Sequence, residues 1–82
     1  MAALSAGTFG KWPVLRDIVG DDAHVTLTGV STDCCVLSTA LPAADAGATV
    51  RVAAAGCAGS SLENHARALA AMALYGPQIT LT

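Results

Sequence analysis

Three short stretches of the chain are rich in β-branched residues or alternate apolar with polar positions, and each predicts a β-strand. The first, HVTLTGV, spans His24–Val30 and follows a pair of aspartates. The second begins at Thr49 and runs to about Ala54, where a loop of small residues follows. The third is the QITLT segment, residues Gln78–Thr82.

Helical periodicity separates the first two strands. Apolar residues recur at three- and four-residue steps from Asp33 to about Ala46, which predicts a helix. Thr32 is the predicted N-cap and Gly47 the predicted stop. Pro42 lies inside this segment and predicts a kink, because its ring collides with the carbonyl four residues earlier.

A second helix is predicted between the second and third strands. Ser60 to Glu63 fits the S-x-x-E capping box, which marks a helix start. Gly76 and Pro77 follow in the order typical of a helix end. The predicted apolar stripe of this helix consists of Leu62, Ala66, Leu69 and Ala73.

The order strand, helix, strand, helix, strand predicts an α/β fold with a parallel sheet and right-handed crossover helices. If the strand order advances in one direction, both crossover helices lie on the same face and leave the other face open. Trp12, Leu15 and Val19 predict a short helix within Gly10–Gly20, a candidate cover for that face. We therefore expect residues 1–82 to be the C-terminal portion of a larger α/β domain, or a chain that pairs with a partner.

Composition narrows the function classes. The 82 residues are 54% hydrophobic and 12% charged, with a mean hydropathy of +0.58. No apolar run approaches the roughly 18 residues of a membrane-spanning helix, so no membrane partner is expected. The first residues do not resemble a secretory signal, which makes the cytoplasm the expected location. The net charge is −2 and the charges are scattered, so nucleic acid is not an expected partner.

The three cysteines predict free thiols. Their number is odd, and adjacent residues such as Cys34 and Cys35 lie too close for an ordinary disulfide. A zinc site built from these two and Cys57, with His24 or His65, is an alternative, but no C-x-x-C pair supports it.

The adjacent cysteines follow the first predicted strand, at the sheet edge where ligands collect in parallel α/β folds. A thiol in a first helical turn lies at the positive end of the helix dipole, which favours the nucleophilic thiolate. Cys34 lies on the apolar side of the predicted helix, whereas Cys35 shares its side with Ser38 and Thr39. Cys35 is therefore the better candidate nucleophile, although an unpaired cysteine is more often a small buried apolar residue.

The segment LTGVSTDCCVLSTALPAADAG resembles the nucleophile region of the isochorismatase-like cysteine hydrolases, which include nicotinamidases and N-carbamoylsarcosine amidohydrolases. The shared pattern is an apolar strand, G-h-x-T-D-x-C-V, and a T-A-x-x-A-x-x-x-G helix. The resemblance extends from about Phe9 to Thr82 and covers only the second half of the family domain. It implies a Rossmann-like three-layer fold, here incomplete.

This resemblance implies site residues. Cys35 matches the nucleophile, and Cys34 the variable residue before it. A cis peptide bond is implied between Val30 and Ser31. The backbone N–H groups of Ser31 and Cys35 match the oxyanion hole of the family, which would stabilise a tetrahedral intermediate.

The family mechanism also uses an aspartate base and a lysine. The aspartate belongs to a strand that precedes this sequence in the family, and no residue here matches it; Asp33 is better suited to supporting the helix start. The family lysine aligns near Ala6, while Lys11 is the only lysine of the chain. Lys11 is thus a candidate catalytic residue, with a solvated charge beside Trp12 as the alternative.

Other positions carry weaker signals. Ala55 and Gly56 replace a D-A pair that is frequent in relatives, and Cys57 is most simply a packed residue. His65 resembles a frequent family histidine but also fits a partly exposed helix position. His24 starts a strand without supporting neighbours. The metal-binding residues of nicotinamidases lie in the other half of the domain, so no metal or cofactor is assigned.

The expected function is hydrolysis of a small-molecule substrate, either an amide C–N bond or an isochorismatase-type reaction, through Cys35. Activity is expected to be impaired unless another polypeptide supplies the aspartate, so a homo-oligomer or a missing N-terminal half is the expected partner. The alternative is an inactive, truncated paralogue that acts as an oligomerising α/β module with an apolar open sheet face. Redox sensing by the cysteine pair is a third, disfavoured hypothesis.

Overall fold

The computed structural model describes residues 9–20 and 22–82. A π-helical turn, called the π turn below, leads directly into the second α-helix. In chain order the elements are α1 (Trp12–Val19), β1 (His24–Val30), the π turn (Thr32–Val36), α2 (Leu37–Asp45), β2 (Thr49–Ala58), α3 (Leu62–Ala73) and β3 (Ile79–Leu81).

The three strands form a parallel sheet in the order β1-β2-β3. Val25 of β1 pairs with Val50 of β2, which in turn pairs with Ile79 of β3. The predicted α/β class with a parallel sheet and crossover helices is thereby confirmed. Because the strand order advances in one direction through right-handed crossovers, α2 and α3 lie on the same face.

The core lies between this face and the helices. Val50, Val52 and Ile79 are buried on the sheet side. Small residues of α2 and the Met72 side chain of α3 pack against them. Alanines such as Ala40, which is fully buried, let the helix backbone approach the sheet closely.

The opposite sheet face is polar in the described residues. Thr26, Arg51 and Thr80 occupy one register row across the three strands, and all three are exposed. The prediction of an apolar open face is therefore wrong: of the exposed β1 positions only Val30 is a large apolar residue. Alternation along each strand sends threonines to this face while valines enter the core.

The predicted helix near the N-terminus is present as α1, but it does not serve as a cover for the open face. It packs against α2 instead. Trp12 is buried in the same core cluster as Ala40 and Ala43, and this burial fixes α1 beside α2. Its Val14 and Ile18 side chains are exposed.

Two predicted helix starts are wrong by one residue. Ser31, not Thr32, is the N-cap before the π turn, and Thr32 lies inside the turn. Ser61, not Ser60, caps α3, because its hydroxyl accepts a hydrogen bond from the Asn64 amide. The reciprocal pair between Ser60 and Glu63 is therefore not formed, and Glu63 pairs with Arg67 instead.

The predicted stripe of α3 also differs from the buried face. Leu62 is 90% exposed, whereas Ala68 and Met72 are buried. The α3 sequence is rich in alanine on every side, so apolar spacing alone does not single out one face.

Strand β2 continues to Ala58, four residues beyond the predicted end at Ala54. A register irregularity separates the Leu27–Val52 pair from the Gly29–Cys57 pair, after which pairing resumes. Gly29 adopts a φ of 120°, which glycine tolerates without a Cβ clash. Cross-strand pairing thus extends β2 past its apolar pattern.

None of the helices in residues 9–20 and 22–82 has the length and apolarity needed to cross a bilayer.

Candidate active site

The π turn and the loop before α3 lie at the same edge of the sheet. The π turn follows β1, and Gly59–Ser61 follow β2 directly. In a parallel sheet these are carboxyl ends of neighbouring strands, where functional loops converge. The peptide bond between Val30 and Ser31 is cis, and it immediately precedes the π turn.

The Ser31 carbonyl organises the start of the turn. It accepts hydrogen bonds from the amides of Cys34 and Val36, each at 3.1 Å. The second of these bonds closes a wider ring than an α-helical turn does, which gives the π geometry. Cys35 lies between the two donors in the sequence and is carried by the first turn of the helical segment.

The two adjacent thiols have different surroundings. Both are free and half-buried. The prediction that Cys34 packs into the core is therefore wrong. The Cys34 sulfur lies 3.9 Å from Oδ2 of Asp33. Desolvation raises the pKa of the Cys34 thiol, and the negative charge of Asp33 and the neighbouring Cys35 raise it further. The Cys34 thiol is thereby held in its protonated, less nucleophilic form.

Asp33 links the π turn to the loop before α3. Its Oδ1 accepts hydrogen bonds from the Ser60 amide at 2.9 Å and from the Ser31 hydroxyl at 3.1 Å. Its Oδ2 accepts a hydrogen bond from the Ser60 hydroxyl at 2.6 Å. The hydroxyl and amide of Ser60, in that order, are the main causes that lower the pKa of Asp33 to about 2. Asp33 therefore supports the helix start through a distant partner.

A second link joins the same two segments. Nδ1 of His65 on α3 lies 2.8 Å from Oγ1 of Thr32, whose side chain is completely buried. A partly exposed helix position is thus an incomplete description of His65. Gly59 permits the close packing, since a Cβ at Gly59 would lie 2.7 Å from Cβ of His65. The family resemblance singles out His65 as a position but indicates no partner for it, so the contact with Thr32 comes from the structure alone.

Thr39 connects the start of α1 to the π turn, Thr32–Val36, which is also called the cysteine turn because it carries Cys34 and Cys35. Its hydroxyl donates to the Cys35 carbonyl at 2.7 Å and accepts from the Lys11 amide at 2.9 Å. Lys11 is the N-cap residue of α1. The Thr39 hydroxyl therefore bridges the Lys11 backbone and the cysteine turn. Ala6, where the family lysine aligns, lies outside the described residues.

Sequence reasoning missed Ser60 and Thr39 as site-supporting residues. The capping-box pattern places Ser60 at the start of the helix, and the preference of serine for turns gives no information about a partner 27 residues away. Thr39 carries a recognisable signal, because a buried hydroxyl within a helix bonds to the carbonyl four residues earlier.

The zinc alternative has no support in the described residues. No group of three or more histidine, cysteine, aspartate or glutamate side chains there is arranged to hold a metal ion. His24 begins β1, while Cys34 and Cys35 follow the end of that strand. The Cys57 sulfur donates to the Ala53 carbonyl at 3.4 Å.

A surface pocket of about 290 Å³ does not coincide with the cysteine turn. It is bordered by residues of all three strands, among them Thr26, Arg51 and Thr80 of the polar sheet face. Its lining residues are His24, Val25, Thr26, Thr49, Val50, Arg51, Thr80 and Thr82. Because none of the predicted catalytic or oxyanion-hole residues lines it, we locate the candidate site by the cysteine turn and its hydrogen bonds.

Comparisons with known proteins show the family and the fold of the chain. The family model described as the Isochorismatase domain matches residues 15–82. No curated protein matches the chain at a significant level.

Solved structures resemble the chain along most of its length. A hypothetical protein from Trypanosoma cruzi superposes with a TM-score of 0.83 at 26% identity, over 95% of this chain and 42% of that one. A pyrazinamidase/nicotinamidase from Streptococcus mutans gives 0.73 at 33% identity, over 92% and 43%. A nicotinamidase from Staphylococcus aureus gives 0.73 at 28% identity, over 92% and 50%. The chain thus spans half or less of the length of these proteins.

Proposed function

The chain belongs to the isochorismatase family, whose model matches residues 15–82, and from this premise we propose that it is a cysteine hydrolase with Cys35 as its nucleophile. The single observation that carries the proposal is the position of Cys35 in the first turn after β1, at the carboxyl edge of the sheet. Amide groups at a helix start favour a thiolate over a thiol. The neighbouring Cys34 has a raised pKa and is the poorer nucleophile.

The proposed substrates are small aromatic amides. This choice is supported by the similarity to the nicotinamidases from Streptococcus mutans and Staphylococcus aureus. Nicotinamide is therefore the first compound to test. Isochorismatase-type hydrolysis is the other reaction that family membership supports.

In the proposed reaction, the Cys35 thiolate attacks the amide carbonyl carbon and forms a tetrahedral oxyanion. The backbone N–H groups of Ser31 and Cys35 donate to this oxyanion. Collapse of the intermediate breaks the C–N bond, and ammonia leaves with a proton delivered by a general acid. Water then hydrolyses the thioester, releasing the carboxylic acid and regenerating the thiol.

Two charged residues near the turn have different proposed roles. Lys11, whose amide binds Thr39, is a candidate catalytic residue because an ammonium close to Cys35 would favour the thiolate. Asp33 is a poor general base, since its pKa of about 2 lies far below neutrality and both of its oxygens accept bonds from Ser60. The general base is assigned to a second polypeptide or segment that completes the site.

The nucleophile can be tested without the general base by using an activated ester. 4-Nitrophenyl nicotinate acylates a thiolate directly, releasing 4-nitrophenolate and leaving a nicotinoyl thioester. We expect peptide mapping to find a hydroxylamine-labile nicotinoyl group on Cys35. The Cys35→Ser variant should lose it, while the matched Cys34→Ser variant keeps it. Hydrolysis of nicotinamide is measured in parallel, and loss of ammonia release in Cys35→Ser alone supports the full reaction.

The opposite pattern overturns the proposal. If Cys34→Ser removes the label and Cys35→Ser retains it, the nucleophile is Cys34. If both variants are labelled like the wild type, neither adjacent thiol is activated, and the hydrolase function fails.

A second candidate function is an oligomerising α/β module. It is favoured by exposed apolar side chains on α1 and near the end of α3, among them Ile18 and Leu74 at 69% and 84% exposure. Sedimentation velocity distinguishes the two functions. A stable dimer whose Cys35 is no more reactive than Cys57 supports the module, whereas a monomer with a reactive Cys35 excludes it.

A cytoplasmic location is part of the proposal. The free state of Cys34, Cys35 and Cys57 supports it, since thiols persist in reducing compartments. Fractionation of expressing cells with a tagged chain tests the location.

A further inference from the structure

Asp33 lies between the two adjacent cysteines and the loop that precedes α3. It is neither the proposed nucleophile nor a donor of the proposed oxyanion hole. Its two carboxylate oxygens face different groups. Oδ1 binds the Ser60 amide and the Ser31 hydroxyl. Oδ2 binds the Ser60 hydroxyl and lies 3.9 Å from the Cys34 sulfur.

We propose that Asp33 is a positioning residue that selects between the adjacent thiols: it anchors the cysteine turn to Ser60 and directs its remaining contact at Cys34, which leaves Cys35 as the attacking sulfur. This inference rests on the proposed function of Cys35. The selection itself is a property of the two thiols and can be measured without any substrate.

The first step of the argument is mechanical. Ser60 donates to both oxygens of Asp33, from its backbone amide at 2.9 Å and from its hydroxyl at 2.6 Å. A carboxylate held by two donors from one residue has little rotational freedom. The Asp33 backbone, and with it the following cysteine turn, is therefore fixed relative to α3.

The second step is electrostatic. A carboxylate beside a thiol opposes formation of a second negative charge, so the proton stays on Cys34. Desolvation of Cys34 acts in the same direction and is the larger of the two effects. Cys35 has no such contact with Asp33 among the hydrogen bonds of the described residues.

Other titratable groups on the elements packed around the turn have their own contacts. On α3, His65 lies against Thr32, and Glu63 pairs with Arg67 at 2.6 Å. On β2, the Cys57 thiol donates to a backbone carbonyl. Asp33 and Cys35 are the charged or ionisable groups that act on the Cys34 thiol.

The test is alkylation of the full chain with iodoacetamide between pH 6 and 10, with the rate at each cysteine measured by mass spectrometry of peptides. In the wild type we expect Cys35 to react faster than Cys34. In Asp33→Asn the carboxylate charge is lost, and we expect the Cys34 rate to rise about threefold to tenfold relative to Cys35 at neutral pH. Cys57 serves as the internal reference.

A second variant separates anchoring from charge. Ser60→Ala keeps the Asp33 charge but removes its hydroxyl donor, so Cys34 should stay slow while the Cys35 rate falls at least about twofold as the helix-start amides lose their alignment. Asn64→Ala is the matched control, because it removes the other partner of the Ser60 hydroxyl without touching Asp33; its two rates should equal those of the wild type.

Circular dichroism shows whether each variant is folded, and only the labelling rates of folded variants are interpreted. If Asp33→Asn is folded and keeps the wild-type ratio of Cys34 to Cys35 labelling, the proposal is overturned. If Asp33→Asn does not fold, equal rates in Ser60→Ala and Asn64→Ala overturn it. Selective labelling with no ester acylation at Cys35 leaves the selection by Asp33 intact and refutes the hydrolase function alone.

Discussion

Nδ1 of His65 and Oγ1 of Thr32 lie 2.8 Å apart and join α3 to the π turn. The two residues are separated by 33 positions in the chain. Because Thr32 is fully buried, its hydroxyl has no access to bulk water and depends on this partner. The contact therefore contributes both to stability and to the position of the cysteine turn.

Thr32→Val tests this contact with a side chain of nearly the same shape. We expect a loss of about 1 kcal/mol in the free energy of unfolding, since the His65 ring loses its buried partner. Urea denaturation gives the value. Thr80→Val, at an exposed position of β3, is the matched control and should change stability by less than about 0.5 kcal/mol. Equal effects in the two variants would contradict a structural role for the Thr32 hydroxyl.

The lowered pKa of Asp33 predicts that the chain loses stability in acid. Its pKa falls from the ordinary value of 3.8 to about 2 in the folded chain. A carboxyl group with a lowered pKa stabilises the fold above its unfolded pKa, and this contribution disappears as the pH falls from about 4 through about 2. The urea midpoint of the wild type should therefore drop over this window.

Asp33→Asn should lower the urea midpoint at pH 7 and flatten its decline between pH 4 and 2, because the titrating group is gone. Asp45→Asn, at the exposed C-terminal end of α2, is the control for the loss of one carboxylate and should lower the urea midpoint at pH 7 less than Asp33→Asn does. A profile of Asp33→Asn that parallels the wild type would show that other groups cause the acid sensitivity.

Gly59→Ala should disturb the junction of β2 and α3. The added Cβ would lie within 2.7–2.9 Å of three atoms of His65, two of them in its backbone, so the loop or the helix start must move. We expect a cost of about 1–3 kcal/mol in thermal or urea denaturation. Gly76→Ala, whose Cβ would meet only ordinary contacts at 3.8 Å and beyond, should be nearly neutral.

Met72→Ala tests which face of α3 is buried. Met72 is fully buried against the sheet, so its truncation should cost about 2–5 kcal/mol. Leu62→Ala, at a side chain that is 90% exposed, should change stability by less than about 0.5 kcal/mol. A larger loss of stability in Leu62→Ala than in Met72→Ala would support the apolar stripe that sequence spacing predicts and contradict the observed packing.

Local sequence patterns were enough to predict the order of the strands and crossover helices and the parallel α/β class. The sequence predicts β1 from His24 to Gly29 or Val30, and the observed strand is His24–Val30, because β-branched residues between turn signals are a local property. The position of Cys35 near a helix start after a strand was equally local. Residue motifs of the same segment indicated the family that the match over residues 15–82 then showed.

Features that depend on partners distant in the chain could be seen only in the folded molecule. The bond from Asp33 to Ser60 spans 27 positions, and the extension of β2 to Ala58 depends on re-pairing with Val30 after an irregular register. The buried face of α3 was undetermined because alanines surround that helix, and only the sheet against which it packs selects Met72. Local patterns encode which conformation a segment prefers, whereas these contacts depend on where the crossovers bring segments together in space.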